Sequence, residues 1–438
     1  MSSTFFAPAA GLSGQLAAPA DKSISHRAAL LAAMSEGRSV IEGYLRAEDT
    51  DSTLDAIALL GAGVEASGDS VVINGVGLRG ARSTGQVIDV GNSGTLMRLV
   101  TGWLAGQPSG NWRIDGDQSI RTRPIDRVAD PLALMGAVIE STGGRPPFTV
   151  EARSLTAIDY TLPVASAQLK SALLIAGLIA DGETVIRETP ASRDHTERML
   201  VEQGVDLTVD QLEQGGRIVR LKPVASLKSV DRRIPGDPSS AAFPLVAGLL
   251  VKNSNVSVQG VALNPTRTGL FSILGRMGAR IDGLPSAEQQ SGAGRLGPEP
   301  IGALISQTSA LVATDVGADE IPSVIDELPL LALAACFADG TTVVSGAGEL
   351  RVKETDRIAS VVEGLQGLGA TIEAREDGFA ITGSGQLRGG TIDSLGDHRI
   401  AMLGAIAGLA SEQGVTVEGF DAASVSYPNF QSDIETLA

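Results

Sequence analysis

The sequence predicts an α/β repeat protein of two domains, each built from three copies of one unit, with buried helices inside and sheets outside. Three observations carry this. Six segments of about ten residues are nearly free of charge on every face; a short polar or charged cluster precedes each; a turn and a β-branched run follow. Helices that are apolar all round must be buried. At about half of the roughly 20 residues that a bilayer core demands, they are too short to span a membrane.

In chain order the openings are Asp21-Lys22-Ser23 with His26-Arg27, Gly91-Asn92-Ser93-Gly94-Thr95, Ser166-Ala167-Gln168-Leu169-Lys170, Gly236-Asp237-Pro238-Ser239-Ser240, Asp326-Glu327 and Gly396-Asp397-His398-Arg399. The apolar segments behind them are 28–34, 96–106, 171–180, 241–250, 328–338 and 400–410. Strands follow at Ser39-Val40-Ile41, Trp112-Arg113-Ile114, Thr184-Val185-Ile186, Val256-Ser257-Val258, 341–344 and Val415-Thr416-Val417. A second, amphipathic helix then ends at Gly61-Ala62, Gly136-Ala137, Gly204-Val205, Gly278-Ala279 or Gly369-Ala370, where glycine supplies the left-handed cap. The unit recurs about every 70 to 90 residues, and the sixth copy stops short at the last residue.

A chain of 438 residues exceeds one ordinary core, and six repeats divide as three plus three. Repeat phase and the prolines Pro19 and Pro235 place one domain at 16–234 and a discontinuous one at 1–15 plus 235–438. The stretch 283–302, rich in Gly, Pro, Ser and Gln, reads as an irregular loop or extended hairpin. A single cysteine, Cys336, excludes a disulfide framework and fits a reduced, cytoplasmic setting. Residues 1–15 have no basic n-region ahead of their apolar residues and do not read as a secretory signal. With three His and one Cys a protein-held metal is not expected.

The formal charge of -17 argues against a nucleic-acid partner, because phosphate backbones need a basic face. Yet Lys and Arg gather at the helix openings. Several helix N-termini converging on one place, with their unpaired N–H groups and positive dipole ends, predict a pocket for phosphates or carboxylates. An acidic exterior around it focuses small anions inward. The partners expected are small anions; neither a membrane nor a second subunit is expected.

Each cluster alone admits a plain structural reading. Ser23 beside Lys22 and Arg27 can be a helix cap with solvated neighbours, and the Gly91–Thr95 run lacks the spacing and Lys of a phosphate-binding loop. Arg121, Arg123 and Arg127 can grip an anion or form a solvated charge run. Ser166 and Gln168 can be a cap and a surface amide. Asp326-Glu327 is explained by capping, or supplies a general base beside cations. Lys353, Glu354, Asp356 and Arg357 can be surface ion pairs. Arg399, ahead of an uncharged helix, needs an anionic partner if buried.

Together the segments resemble the 5-enolpyruvylshikimate-3-phosphate synthases. The resemblance rests on Gly91–Thr95, Gly116-Asp117 with Arg123-Pro124, 166–172, Arg193-Asp194-His195-Thr196-Glu197, 235–240, 351–357 and 397–402, in order from Lys22 to Tyr427-Pro428. It implies the enolpyruvyl transferase fold, a two-domain inside-out α/β barrel of six βαβαββ-type repeats with the active site in the interdomain cleft. It also implies transfer of the enolpyruvyl group of phosphoenolpyruvate to the 5-hydroxyl of shikimate 3-phosphate, with no cofactor. By similarity, Lys22, Ser23, Arg27, Ser166, Ala167, Gln168, Arg193, Asp326 and Lys353 bind shikimate 3-phosphate. Lys22, Gly94, Arg123, Gln168, Arg357 and Arg399 bind phosphoenolpyruvate, while Asp326, Glu354 and Lys22 carry the proton transfers.

Ser166-Ala167-Gln168 and Arg193 look like the branch called class II, some of whose members tolerate glyphosate. Gly94 is not the Ala that crowds out this inhibitor, which is therefore expected to compete with phosphoenolpyruvate. Val425 stands where some members have Lys before the aromatic-Pro pair, here Tyr427-Pro428. The nearest alternative is the transferase that acts on UDP-N-acetylglucosamine. That enzyme is associated with Cys or Asp on a loop comparable to 115–123, where Asp115 and Asp117 stand here.

Overall fold

The computed structural model describes residues 2–212, 215–285 and 296–438. Among these, two compact units separate: 20–234 together with 296–299, and 2–19 with 235–285 and 300–438. Each has its own apolar core, and neither core draws a residue from the other unit.

In the 20–234 unit the buried helices are Lys22–Ala33, Gly94–Ala105 and Ala167–Gly177. In the other they are Pro238–Leu250, Leu328–Cys336 and His398–Ala410. Within each unit these helices pack on one another and sheets cover them. Five of these helices begin inside the polar clusters rather than after them, while Leu328–Cys336 starts just behind Asp326-Glu327. Asp21, Ser93, Ser166, Asp237 and Asp397 are the N-caps, each accepting a backbone N–H of the first turn. Their neighbours Lys22, Gly94, Ala167 and Arg399 therefore sit on that turn. A methyl at Gly102 would lie 2.3 Å from the carbonyl oxygen of Ala172, so only glycine permits this approach of two inner helices.

The sheets repeat one pattern, in which a lead strand runs parallel to the strand after the buried helix and two antiparallel strands complete the set. Val87–Asp89 leads Asn111–Asp115, followed by Arg145–Glu151 and Val138–Thr142; Asp159–Thr161 leads Thr184–Glu188, Arg217–Leu221 and Leu207–Gln211. For the first repeat the lead comes from far along the chain. Leu227–Lys228 and Arg232–Arg233 run parallel to Ser35–Glu42, which closes this unit's ring of repeats.

The second unit follows the same rule. Ser13–Ala17 leads Asn255–Ala262, Asp315–Val316 leads Thr341–Val344, and Gly390–Asp393 leads Val415–Glu418. The short sixth copy is completed by the N-terminal strand Ser3–Phe6, antiparallel to Val415–Glu418. The glycines that end the amphipathic helices, 61, 136, 204, 278 and 369, have φ of 105, 97, 87, 91 and 97°, the left-handed geometry that favours glycine. Much of the 283–302 stretch lies outside the described residues; its flanks Arg280–Asp282 and Ile301–Gln307 pair antiparallel. Among the described residues no helix is long and apolar enough to cross a membrane.

Candidate active site

In the 20–234 unit, the first turns of the three buried helices carry the candidate residues. Lys22 Nζ lies 3.1 Å from Asp49 Oδ2, in the first turn of helix Glu48–Leu59. Buried Arg27 donates from Nε to Thr196 Oγ1 (2.8 Å), from Nη1 to the Ser23 carbonyl (3.0 Å) and from Nη2 to Ser171 Oγ (2.9 Å). These bonds tie Lys22–Ala33 to Ala167–Gly177 and to helix His195–Glu202. Between Lys22 and Arg27, His26 is buried against Thr53, with its Nδ1 2.6 Å from Thr53 Oγ1. Burial pushes its imidazole down to about 3, so it stays neutral and adds no charge there.

Gln168 links the second and third openings. Its Oε1 accepts from Arg98 Nη1 at 2.6 Å, and its Nε2 donates to Thr95 Oγ1 at 2.9 Å. Arg98 Nη1 also donates to the Gly94 carbonyl, and Arg123 Nη2 to Asn92 Oδ1 at 2.7 Å. A Cβ at Gly94 would lie 2.7 Å from Arg98 Nη1 and 3.2 Å from Arg123 Nη1, so glycine lets both guanidinium groups close over the helix start. Cations thus outnumber carboxylates at these helix starts: Lys22, Arg27, Arg98, Arg123 and Arg193 stand against Asp49 and the N-cap Asp21. Such an excess at helix N-termini favours anions. Arg121 pairs instead with Asp115, whose carboxyl it holds below the usual range.

Arg193 is half-buried, on a loop fixed from below. Lys170 Nζ, fully buried, lies 2.7 Å from both Glu188 Oε1 and Glu197 Oε1, and Ser192 Oγ donates to Glu188 Oε2 at 2.6 Å. Burial alone would lower the lysine pKa, but the two carboxylates raise it, so the ammonium is retained. Asp194 is held by Arg198 and Arg217. His195 Nδ1 lies 2.6 Å from Glu299 Oε1, a structural contact.

In the second unit, Asp326 precedes helix Leu328–Cys336, and its carboxylate faces three cations. Lys353 Nζ is at 3.7 Å, Arg357 Nη1 at 3.6 Å and Arg399 Nη2 at 3.9 Å. The capping explanation of Asp326-Glu327 does not hold for Glu327, which occupies the N-cap position without a side-chain cap bond. Arg357 is buried and not part of a surface ion-pair run. Asp397 grips it through Nε at 2.8 Å and Nη2 at 3.2 Å, and Glu354 through Nη2 at 2.7 Å. Burial opposes both charges of the Arg357–Asp397 pair, yet Glu354 and Asp397 together raise the guanidinium pKa, and Arg357 lowers the Asp397 carboxyl. Asp397 also accepts from the Arg399 backbone N–H at 2.9 Å, so one carboxylate both caps helix His398–Ala410 and holds Arg357.

Asp49 and Arg98 are not among the residues that the sequence singles out for the site. Arg98 carries a signal: a lone Arg in a helix otherwise apolar needs a buried acceptor. Asp49 does not, because an acidic first turn is ordinary complement to the helix dipole. Among the described residues no group of three or more His, Cys, Asp and Glu is placed to hold a metal ion.

Known proteins are similar to this chain in sequence and in fold. The family model of EPSP synthase (3-phosphoshikimate 1-carboxyvinyltransferase) matches residues 7–434. A 3-phosphoshikimate 1-carboxyvinyltransferase of Bacillus cereus (strain ATCC 10987 / NRS 248) is 45% identical over 430 residues, covering 98% of this chain and 97% of that protein. The Bacillus anthracis (strain A0248) protein of the same name is also 45% identical over 430 residues, with the same coverage. A solved EPSP synthase structure from Acinetobacter baumannii superposes with a TM-score of 0.85 at 37% identity, covering 100% of this chain and 98% of that one. A match over nearly the whole length, in sequence and in fold, places the chain in the EPSP synthase (3-phosphoshikimate 1-carboxyvinyltransferase) family.

Proposed function

We infer that the protein is a transferase that moves the enolpyruvyl group of phosphoenolpyruvate to the 5-hydroxyl of shikimate 3-phosphate and releases inorganic phosphate. Family membership supports this acceptor over UDP-N-acetylglucosamine. For the division of labour, the observation that carries the reading is Asp326, a carboxylate facing three cations at 3.6 to 3.9 Å. Three positive charges gathered around one carboxylate suit anionic substrates beside a proton-accepting group.

Both substrates are anions, so the task is to neutralise and orient them. Ser23, Arg27, Ser166, Ala167, Gln168, Arg193 and Lys353 hold shikimate 3-phosphate; Gly94, Arg123, Gln168, Arg357 and Arg399 hold phosphoenolpyruvate; Lys22 serves both. Asp326 takes the proton of the 5-hydroxyl as its oxygen bonds to C2, and C3 receives a proton from Glu354, giving a tetrahedral ketal. The C–O bond to phosphate then breaks, with Lys22 supplying charge or a proton to the leaving group. Loss of a C3 proton to Glu354 restores the double bond as the enol ether.

Residues of both units are thus assigned to one reaction, and no cofactor is needed by it. Cytoplasmic residence belongs to the same proposal, supported by Cys336, whose thiol burial pushes up to about 12 and makes unreactive. The test is phosphate release from phosphoenolpyruvate with each acceptor in turn. Release with shikimate 3-phosphate alone is expected; release with neither acceptor, or only with the nucleotide sugar, contradicts the reading.

A further inference from the structure

The Gly236–Ser240 opening and Glu327 have no part in the chemistry above, yet they form a buried polar chain that ends on it. Asp237 caps helix Pro238–Leu250, and its Oδ1 also accepts from Arg267 Nη2 at 2.8 Å. The same Nη2 donates to Ser239 Oγ at 2.7 Å, and that hydroxyl donates to Glu327 Oε1. Glu327 Oε1 in turn faces Arg399 Nη1 at 3.9 Å. Asp237, Ser239, Arg267 and Glu327 are all buried, and Arg399 nearly so.

We propose that Glu327 is a positioning residue for Arg399, held in place by Ser239 and Arg267. Arg399 lies between two carboxylates contributed by consecutive residues: Nη2 faces Asp326 and Nη1 faces Glu327, both at 3.9 Å. A guanidinium is a rigid planar fork, so opposing pulls on its two ends fix its plane. With Glu327 present, Arg399 does not collapse onto Asp326, and both stay available, one to the substrate carboxylate or phosphate and the other to the hydroxyl proton. Burying a glutamate is costly unless it is paired and hydrogen-bonded. Capping does not account for its position, because its side chain makes no cap bond. The alternation Asp237, Arg267, Glu327, Arg399 supplies the compensating charges.

This inference rests on the assignment of Arg399 to phosphoenolpyruvate, and its test separates the two. Steady-state phosphate release would be measured for Glu327→Gln, Ser239→Ala and Arg399→Ala in the full chain, varying each substrate in turn. Glu327→Gln is expected to raise the KM for phosphoenolpyruvate about tenfold, the loss of one well-set charged contact. The KM for shikimate 3-phosphate stays within about twofold, and the thermal midpoint is unchanged. Ser239→Ala follows the same split at about threefold, and it decides the matter should Glu327→Gln not fold. If Arg399→Ala raises the phosphoenolpyruvate KM while Glu327→Gln and Ser239→Ala move neither KM, the positioning role is wrong and the assignment of Arg399 stands. If Arg399→Ala leaves that KM unchanged, both are wrong. An equal rise in both KM values with a lowered thermal midpoint makes the chain a scaffold only and also overturns the proposal.

Discussion

Asp326→Ala is expected to lower kcat about 10³-fold at saturating substrates, the middle of the range for loss of a general base. Binding should survive. Lys353, Arg357 and Arg399 lie within 3.9 Å of this carboxylate, and removing it leaves their charges facing the substrate anions with one competitor fewer. Phosphoenolpyruvate is therefore expected to bind as well as before, or more tightly, by calorimetry in the presence of shikimate 3-phosphate. Arg357 keeps its orientation in the variant because Asp397 and Glu354 hold it independently of Asp326. Normal turnover at saturation with weakened binding would contradict the assignment of Asp326 as base.

Lys22→Ala is expected to reduce kcat/KM by about 10³-fold, with KM raised for both substrates and kcat lowered as well. The size follows from two losses together. An ammonium disappears from the first turn of a helix N-terminus, and Asp49, 3.1 Å away and largely buried, is left without that partner where anions are to bind. A single-substrate KM effect with kcat retained would show that Lys22 only contributes to binding. Steady-state kinetics with each substrate varied at saturation of the other makes the distinction.

How far the sequence revealed this molecule differs between scaffold and site. The six inner helices were legible because charge-free segments such as 241–250 and 400–410 have no surface on which to lie but a core. The end of each amphipathic helix was legible from its glycine. The lead strands were not: Leu227–Lys228 pairs with a strand nearly two hundred residues earlier, and Ser3–Phe6 completes a repeat at the opposite end of the chain. Strands of two to five residues are too short to show a period, and ring closure is a property of the whole unit.

At the site, residue types alone gave an anion pocket and no more. Asp326 and Glu327 are adjacent, and nothing in their spacing separates a base from a positioning group; that depends on which nitrogen of Arg399 each one faces. Arg98 and Arg267 each stand alone among apolar or small residues, and their partners Gln168 and Ser239 lie tens of residues away. The individual roles of Lys22, Gln168 and Arg399 came from the family resemblance and not from periodicity or charge.

The proposed function assigns Lys22 and Asp326, which belong to different units, to one reaction. A double-variant cycle on kcat tests it, using Lys22→Met, Asp326→Asn and the pair together under saturating substrates. The account predicts strong non-additivity, with the double variant close to the slower single variant, because Asp326→Asn slows the addition and Lys22→Met the later loss of phosphate, and the slower of two successive steps sets kcat. Full multiplication of the two single effects would contradict it, because it would make both residues contribute to one and the same step.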